Sequence, residues 1–236
     1  MARQRLLIAI DGPAGAGKSA AARELAVRLG LPYLDTGAMY RAVGLLALRA
    51  GFGPGLDPGD HAAVAALARG LEVRFSGDPR TQRVRLGDED VTDALRTPEA
   101  SEMASVVSAI PAVRRELVVR QREVAAERGG VVEGRDIGTV VFPGAPVKVF
   151  LTASPEVRAR RRYEELVKRG VAARWDDVLA EQRERDRRDS TRSDSPLRPA
   201  DGAKVLDTSG MTLAEVVAAL LSFLPSGLDT PRARHV

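Results

Sequence analysis

The sequence predicts an α/β fold in three layers, a parallel five-stranded sheet between helices, with a small antiparallel insertion and a charged helical segment. Three observations predict it. Apolar runs of strand length alternate with stretches of helical period along most of the 236 residues, the order that gives β-α-β crossovers and a parallel sheet. A glycine-rich loop lies between the first of those strands and the first helix. Over about residues 71–91 the period changes to two, which marks an antiparallel element set into the β-α series.

Leu6–Asp11 (LLIAID) is a β-compatible apolar run suited to a buried strand. Gly12–Gly17 is the glycine-rich loop, and Lys18–Leu29 has apolar residues at 22, 25, 26 and 29 on one helix face, stopped by Gly30. Pro32–Asp35 is a second strand, Thr36–Ala50 a second helix, Gly51–Asp60 a Gly/Pro loop and Ala62–Gly70 a short helix. Leu71, Val73 and Phe75 alternate with Glu72 and Arg74, and Val84 and Leu86 with Arg83 and Arg85; Gly87-Asp88 makes a hairpin turn before Glu89–Val91. Thr97–Ala109 and Ala112–Arg128 read as helices separated at Pro111. Gly130–Glu133 and Val147–Leu151 are two more buried strands. Pro155–Arg169 is a helix with Ser154 as cap and proline at its first position, and Trp175–Asp189 a second, strongly charged one. Ala203–Asp207 is the fifth strand, Thr212–Leu224 an apolar helix capped near Thr212, and the polar tail from Pro225 reads as loose.

Composition narrows the chemistry. Cysteine and asparagine are absent, and the two histidines are His61, read as a surface residue, and His235 near the end. That excludes disulfides, thiolate metal sites, a cysteine nucleophile, a multi-histidine zinc site and an Asn-Lys-x-Asp guanine-reading motif. The apolar runs are too short to span a bilayer, and no signal-peptide cleavage pattern follows the first one, so a cytoplasmic protein away from membranes is expected. Net charge is +4, from 32 arginines and four lysines against 32 acids. Arginine grips phosphate and carboxylate in two places, which suits anionic ligands but does not by itself indicate nucleic acid.

Gly12-Pro13-Ala14-Gly15-Ala16-Gly17-Lys18-Ser19 matches G-x-x-x-x-G-K-[ST]. The glycines let successive backbone N–H groups point at phosphate oxygens. The helix starting near Lys18 adds its positive dipole end. Lys18 reaches the β- and γ-phosphates and Ser19 ligates Mg²⁺. Ala20 follows where a second hydroxyl residue is common. The strand before and the helix after are the context this motif requires, so a P-loop NTPase fold that binds ATP or GTP is expected.

A switch GTPase would need guanine-reading and Asp-x-x-Gly motifs, and a motor ATPase an apolar run closed by Asp-Glu; the third strand instead runs Val131-Val132-Glu133-Gly134-Arg135-Asp136. A small-molecule kinase should have a compact core, an acceptor-binding insertion and an arginine-rich lid, and this chain has all three in order. The core takes 1–36, 129–154 and 193–224, the monophosphate-binding region 37–128, the lid 155–192, and the flexible tail 225–236. In the lid, spacings of three and four place Arg185, Arg188, Asp189 and Arg192 along one helical side. Another monophosphate or small-metabolite kinase, and a P-loop regulatory or RNA-binding protein using the basic lid, stay open as alternatives on these residues.

The sequence resembles bacterial cytidylate kinases over roughly residues 5–224. The resemblance is carried by Ile10–Ser19, Leu34-Asp35-Thr36-Gly37-Ala38-Met39-Tyr40-Arg41, Glu133-Gly134-Arg135-Asp136-Ile137-Gly138-Thr139, Val141–Lys148 and the arginine lid. It implies transfer of the ATP γ-phosphate to CMP or dCMP, so the expected partners are small nucleotides; Mg²⁺ is expected from the P-loop motif, and a monomer is the default expectation. It further implies that Arg41 and Arg135 hold the acceptor phosphate, that Ser105, Arg114 and Asp136 read cytosine, and that Thr36 lies near the acceptor base. Arg185, Asp189 and Arg192 then correspond to lid residues on sugar and phosphate. The catalytic set is Lys18, Arg135, Arg185 and Arg192. Several relatives have Asp where this chain has Glu133, and Arg188 has no clear counterpart. Asp35, at the end of the second strand, is expected near the metal. The acceptor phosphate is largely a dianion at neutral pH, so no strong general base is required.

Overall fold

The computed structural model describes residues 6–126 and 129–225. The tail expected beyond Pro225, and the end of the helix expected to reach Arg128, lie outside the described residues. Five parallel strands, β1 (Leu7–Asp11), β2 (Tyr33–Asp35), β6 (Gly130–Gly134), β7 (Val147–Thr152) and β8 (Lys204–Asp207), form one sheet in the order β2-β6-β1-β7-β8. A three-stranded antiparallel sheet contains β3 (Val73–Ser76), β4 (Arg83–Leu86) and β5 (Glu89–Asp90).

The two-residue period of the buried strands makes the layers. Ile8 and Ile10 of β1, Tyr33 of β2 and Val131 of β6 face a core closed by α1 (Lys18–Leu29) and α8 (Leu213–Ser222). Their neighbours Ala9, Leu34 and Val132 face the opposite core, packed by α2 (Thr36–Arg49), α3 (His61–Arg69), α4 (Pro98–Val107) and α5 (Pro111–Ala126). A third cluster joins α6 (Pro155–Lys168) to α7 (Trp175–Thr191), with Tyr163 edge-on to Trp175 at 6.2 Å between ring centroids.

Helix ends follow local chemistry. Asp35 caps α2 by accepting the Ala38 amide at 3.0 Å, Ser154 caps α6, and Thr212 and Glu215 form a reciprocal capping box on α8. Thr97 caps α4, so that helix starts one residue later than its sequence pattern and stops at Val107; Pro111 begins α5 instead of merely breaking a helix. His61 opens α3 and is half-buried. Among the elements that were not expected, one borders Asp136. The apolar run after Asp136 does not extend the strand but forms a π-helical turn, Ile137–Val141. The turn closes because the Val140 and Val141 amides return to the Asp136 carbonyl at 2.8 and 3.1 Å.

Gly44 sits where α2 crosses α4, and a Cβ there would lie 3.0 Å from the Ala104 amide nitrogen and 3.2 Å from Met103. Gly44→Val should push α4 away, cost about 1–3 kcal/mol by overpacking, and shift the neighbouring Ser105. Urea unfolding measures the loss; an unchanged midpoint would show that the helices are not held at that spacing.

Candidate active site

The carboxyl ends of β1, β2 and β6 bring Asp11, Asp35, Glu133, Arg135 and Asp136 to one end of the sheet, where parallel sheets of this kind have their ligand cleft. In-register pairs set the relation: Asp11 of β1 lies beside Gly134 of β6, and Asp35 of β2 beside Glu133. The P-loop therefore starts next to Arg135 and Asp136.

Within the loop, Gly12, Gly15 and Gly17 have φ of 146, 74 and 84°, conformations that favour glycine. At Gly12 a Cβ would fall 1.9 Å from the Leu151 carbonyl oxygen. Helix α1 starts after Gly17 with no side-chain cap, which leaves its first amides to a ligand. Four consecutive loop carbonyls are instead taken by side chains. Lys18 Nζ donates to Pro13 at 2.7 Å, Arg158 and Gln182 to Ala14 at 3.3 Å each, Arg161 to Gly15 at 3.4 Å and Thr208 to Ala16 at 3.1 Å. The Lys18 ammonium is buried. Desolvation, and after it the neighbouring Arg135, push its pKa down to about 7.

Beside it is a group of cations held by too few acids. Arg135 Nε donates to Asp189 at 2.8 Å, and Arg41 to Asp35 at 2.7 Å. Burial first, then Arg135, lowers Arg185 to about 10. Arg41 and Arg185 each leave a buried Nε without a partner among the described residues. The Asp35 carboxylate, expected near the metal, is engaged by Arg41 and by the Ala38 amide. Glu133 accepts a short hydrogen bond from the Tyr33 hydroxyl; burial, then Asp35, raises its pKa.

The base-reading candidates form a second group. Arg114 is fully buried and makes a short salt bridge to the buried Asp136 carboxylate, while its other end donates to the Ser108 carbonyl at 3.2 Å. Tyr40 faces the Arg114 guanidinium, 5.6 Å from ring centroid to carbon. The Ser105 hydroxyl, Tyr40 hydroxyl, Arg114 Nε and Arg192 Nη2 are buried without partners among the described residues. Unpaired buried polar atoms cost free energy, so their gathering fits a ligand that completes them. The Thr36 hydroxyl donates to the Glu133 carbonyl at 2.7 Å and ties β2 to β6.

The lid departs from its expected geometry at one residue. Helix α7 ends at Thr191, so Arg192 is extended (φ −60°, ψ 140°) and its Nε donates to the Ser195 carbonyl at 2.6 Å instead of continuing the helical row. Arg188 is half-buried, 3.8 Å from Glu184. Residues the sequence reading passed over are Asp11, Tyr33, Tyr40, Arg158, Arg161, Gln182 and Thr208. Asp11 and Thr208 stand at or just past strand ends, a signal that could have found them.

Residues 8–226 match the cytidylate kinase family. A cytidylate kinase of Mycobacterium leprae is 53% identical over 220 residues, covering 93% of this chain and 95% of that one. One of Solibacter usitatus is 48% identical, covering 98% and 97%, and one of Corynebacterium efficiens 52% identical, covering 95% and 96%.

Two outcomes follow from the geometry. Removing one partner of the buried pair strands a charge, so Arg114→Met should cost about 3–5 kcal/mol, and adding Asp136→Leu should restore most of it; unfolding midpoints that fall further in the double variant would contradict this. Phosphate charge should return Lys18 to its protonated form. Binding of preformed MgATP at pH 8 should then take up a proton, approaching about one per site, with affinity falling as pH rises above Lys18's lowered value. Calorimetry in buffers of unlike ionisation enthalpy reads this, and an enthalpy independent of buffer would refute it.

Proposed function

The chain belongs to the cytidylate kinase family, and on that premise we propose that it transfers the γ-phosphoryl group of ATP to CMP and dCMP, giving CDP and dCDP. The observation that carries the residue assignment is the buried Arg114–Asp136 pair, with the unpaired Tyr40 and Arg192 atoms beside it, just past the β6 end that pairs with the strand leading into the P-loop. Cytosine offers an amine donor and the N3 and O2 acceptors. A carboxylate accepts from the first and a guanidinium donates to the others. Uracil would turn a carbonyl toward Asp136.

The P-loop amides and Lys18 hold the ATP phosphates, and Arg41 and Arg135 the acceptor phosphate. Arg185 and Arg192 approach from the lid, with Asp189 steering Arg135. The transition state spreads charge over the equatorial oxygens, so alignment and charge neutralisation supply the catalysis. The acceptor dianion is its own nucleophile. Mg²⁺ arriving on phosphates needs few protein ligands; Ser19, at the hydroxyl position of the P-loop motif, is the residue that would hold it. When bound it neutralises β- and γ-oxygens. Among the described residues no helix is long and apolar enough to cross a membrane. A cytoplasmic monomer divided into core, acceptor region and lid is part of the same proposal, supported by nucleotide substrates and by one chain bringing all these groups to one cleft.

A panel of monophosphates with MgATP tests the reading. CMP and dCMP should exceed UMP by roughly 30- to 1000-fold in kcat/KM, the cost of setting a carbonyl against Asp136. Equal values for CMP and UMP would overturn it.

A further inference from the structure

The geometry points to Asp11 as a positioning residue for the acceptor nucleotide: its carboxylate lashes the loop that carries Arg135 and Asp136 to the strand that feeds the P-loop. Asp11 is the last residue of β1 and only 2% exposed. Its two oxygens each accept one backbone amide, Ile137 N–H and Gly138 N–H, both at 2.7 Å. Those are the first two residues of the π-helical turn, whose opening amides have no partner within the turn.

Such amides are ordinarily capped by the residue just before the helix, which here is Asp136. Asp136 makes no such cap, and its carboxylate goes to Arg114 instead. Asp11 thus supplies the cap from another strand and leaves the Asp136 side chain to the base-reading pair. The β1–β6 register, Asp11 beside Gly134, makes the reach possible. Gly138 allows the approach, since a Cβ there would lie 3.3 Å from Asp11 Oδ2 and 3.1 Å from Ala200 Cβ. The turn and Asp136 move as one body because the Val140 and Val141 amides close onto the Asp136 carbonyl.

Without the Asp11 carboxylate, Asp136 is left in the ordinary capping position for the Ile137 and Gly138 amides. Capping its own turn would draw it away from Arg114 and from the base. The donor side is held differently, because the carbonyls of Pro13 to Ala16 take their bonds from Lys18, Arg158, Gln182, Arg161 and Thr208. The loss should therefore fall on CMP and spare ATP.

This inference rests on the acceptor reading of Asp136 above, and the test separates the two. Steady-state kinetics on the full chain would compare wild type, Asp11→Asn and Asp11→Ala, varying CMP, UMP and ATP in turn. Asp11→Ala should raise KM for CMP about tenfold or more and lower the CMP-over-UMP preference, with KM for ATP changed less than about twofold. Asp11→Asn keeps one acceptor oxygen and should fall between Asp11→Ala and wild type. A folded variant with unchanged KM for CMP and unchanged preference, or with both KM values raised equally, overturns the assignment. Should neither variant fold, hydrogen exchange on wild type decides: Ile137 and Gly138 amides should be protected, and exchange at the rate of open amides would overturn it. A wild type that ignores CMP would reject the acceptor reading itself; an active wild type with unaffected variants would reject Asp11 alone.

Discussion

A phosphate loop can aim its amides at an anion only if its carbonyls find partners elsewhere, because buried backbone groups are costly to leave unpaired. Here the carbonyls of Pro13, Ala14, Gly15 and Ala16 are bonded in turn by Lys18, by Arg158 with Gln182, by Arg161 and by Thr208. Those side chains come from α1, α6, α7 and the segment after β8. The loop is thereby one hydrogen-bonded unit with α6 and α7. Arg158 reinforces it by a bidentate pair with Asp186 of α7 at 2.8 and 2.7 Å.

The same cleft concentrates charge. Burial, and after it repulsion from Arg135, depresses Lys18 to about 7 and Arg185 to about 10. Asp35 and Asp189 each restrain one arginine, and Asp136 restrains Arg114. What the cleft lacks is negative charge, which two nucleotides carry in their phosphates. Charge-assisted contacts are the strong class of hydrogen bond, and a low-dielectric site strengthens them further. Binding and transition-state stabilisation then draw on the same electrostatic deficit.

Much of this was legible in the sequence. The strands were visible because burial on both faces leaves short apolar runs such as LLIAID and GVVE, and the P-loop because glycine spacing is a backbone requirement. Caps at Ser154 and Thr212 are local chemistry, and Arg135 and Asp136 stood out by following a buried strand. The missing parts depend on contacts distant in sequence. Ile137–Val141 is as β-branched as a strand, and the acceptor of its opening amide, Asp11, is 126 residues away from Ile137. The Thr36 hydroxyl is taken by a carbonyl 97 residues on. Arg192 keeps helical spacing from Arg188, yet α7 ends one residue earlier. Arg158 and Arg161 read as members of a charged helix face, and only the tertiary structure lays that face against the P-loop.

The central claim, that ligand phosphates supply the charge the lid and cleft lack, is tested most directly by hydrogen exchange across Trp175–Thr191. The free protein would be compared with protein saturated by a bisubstrate analogue joining adenosine and cytidine through phosphates, and with protein in adenosine plus cytidine without phosphate. The account predicts a marked gain in protection with the analogue and little with the nucleosides. Equal protection in all three states, or equal gains with and without phosphate, would contradict it.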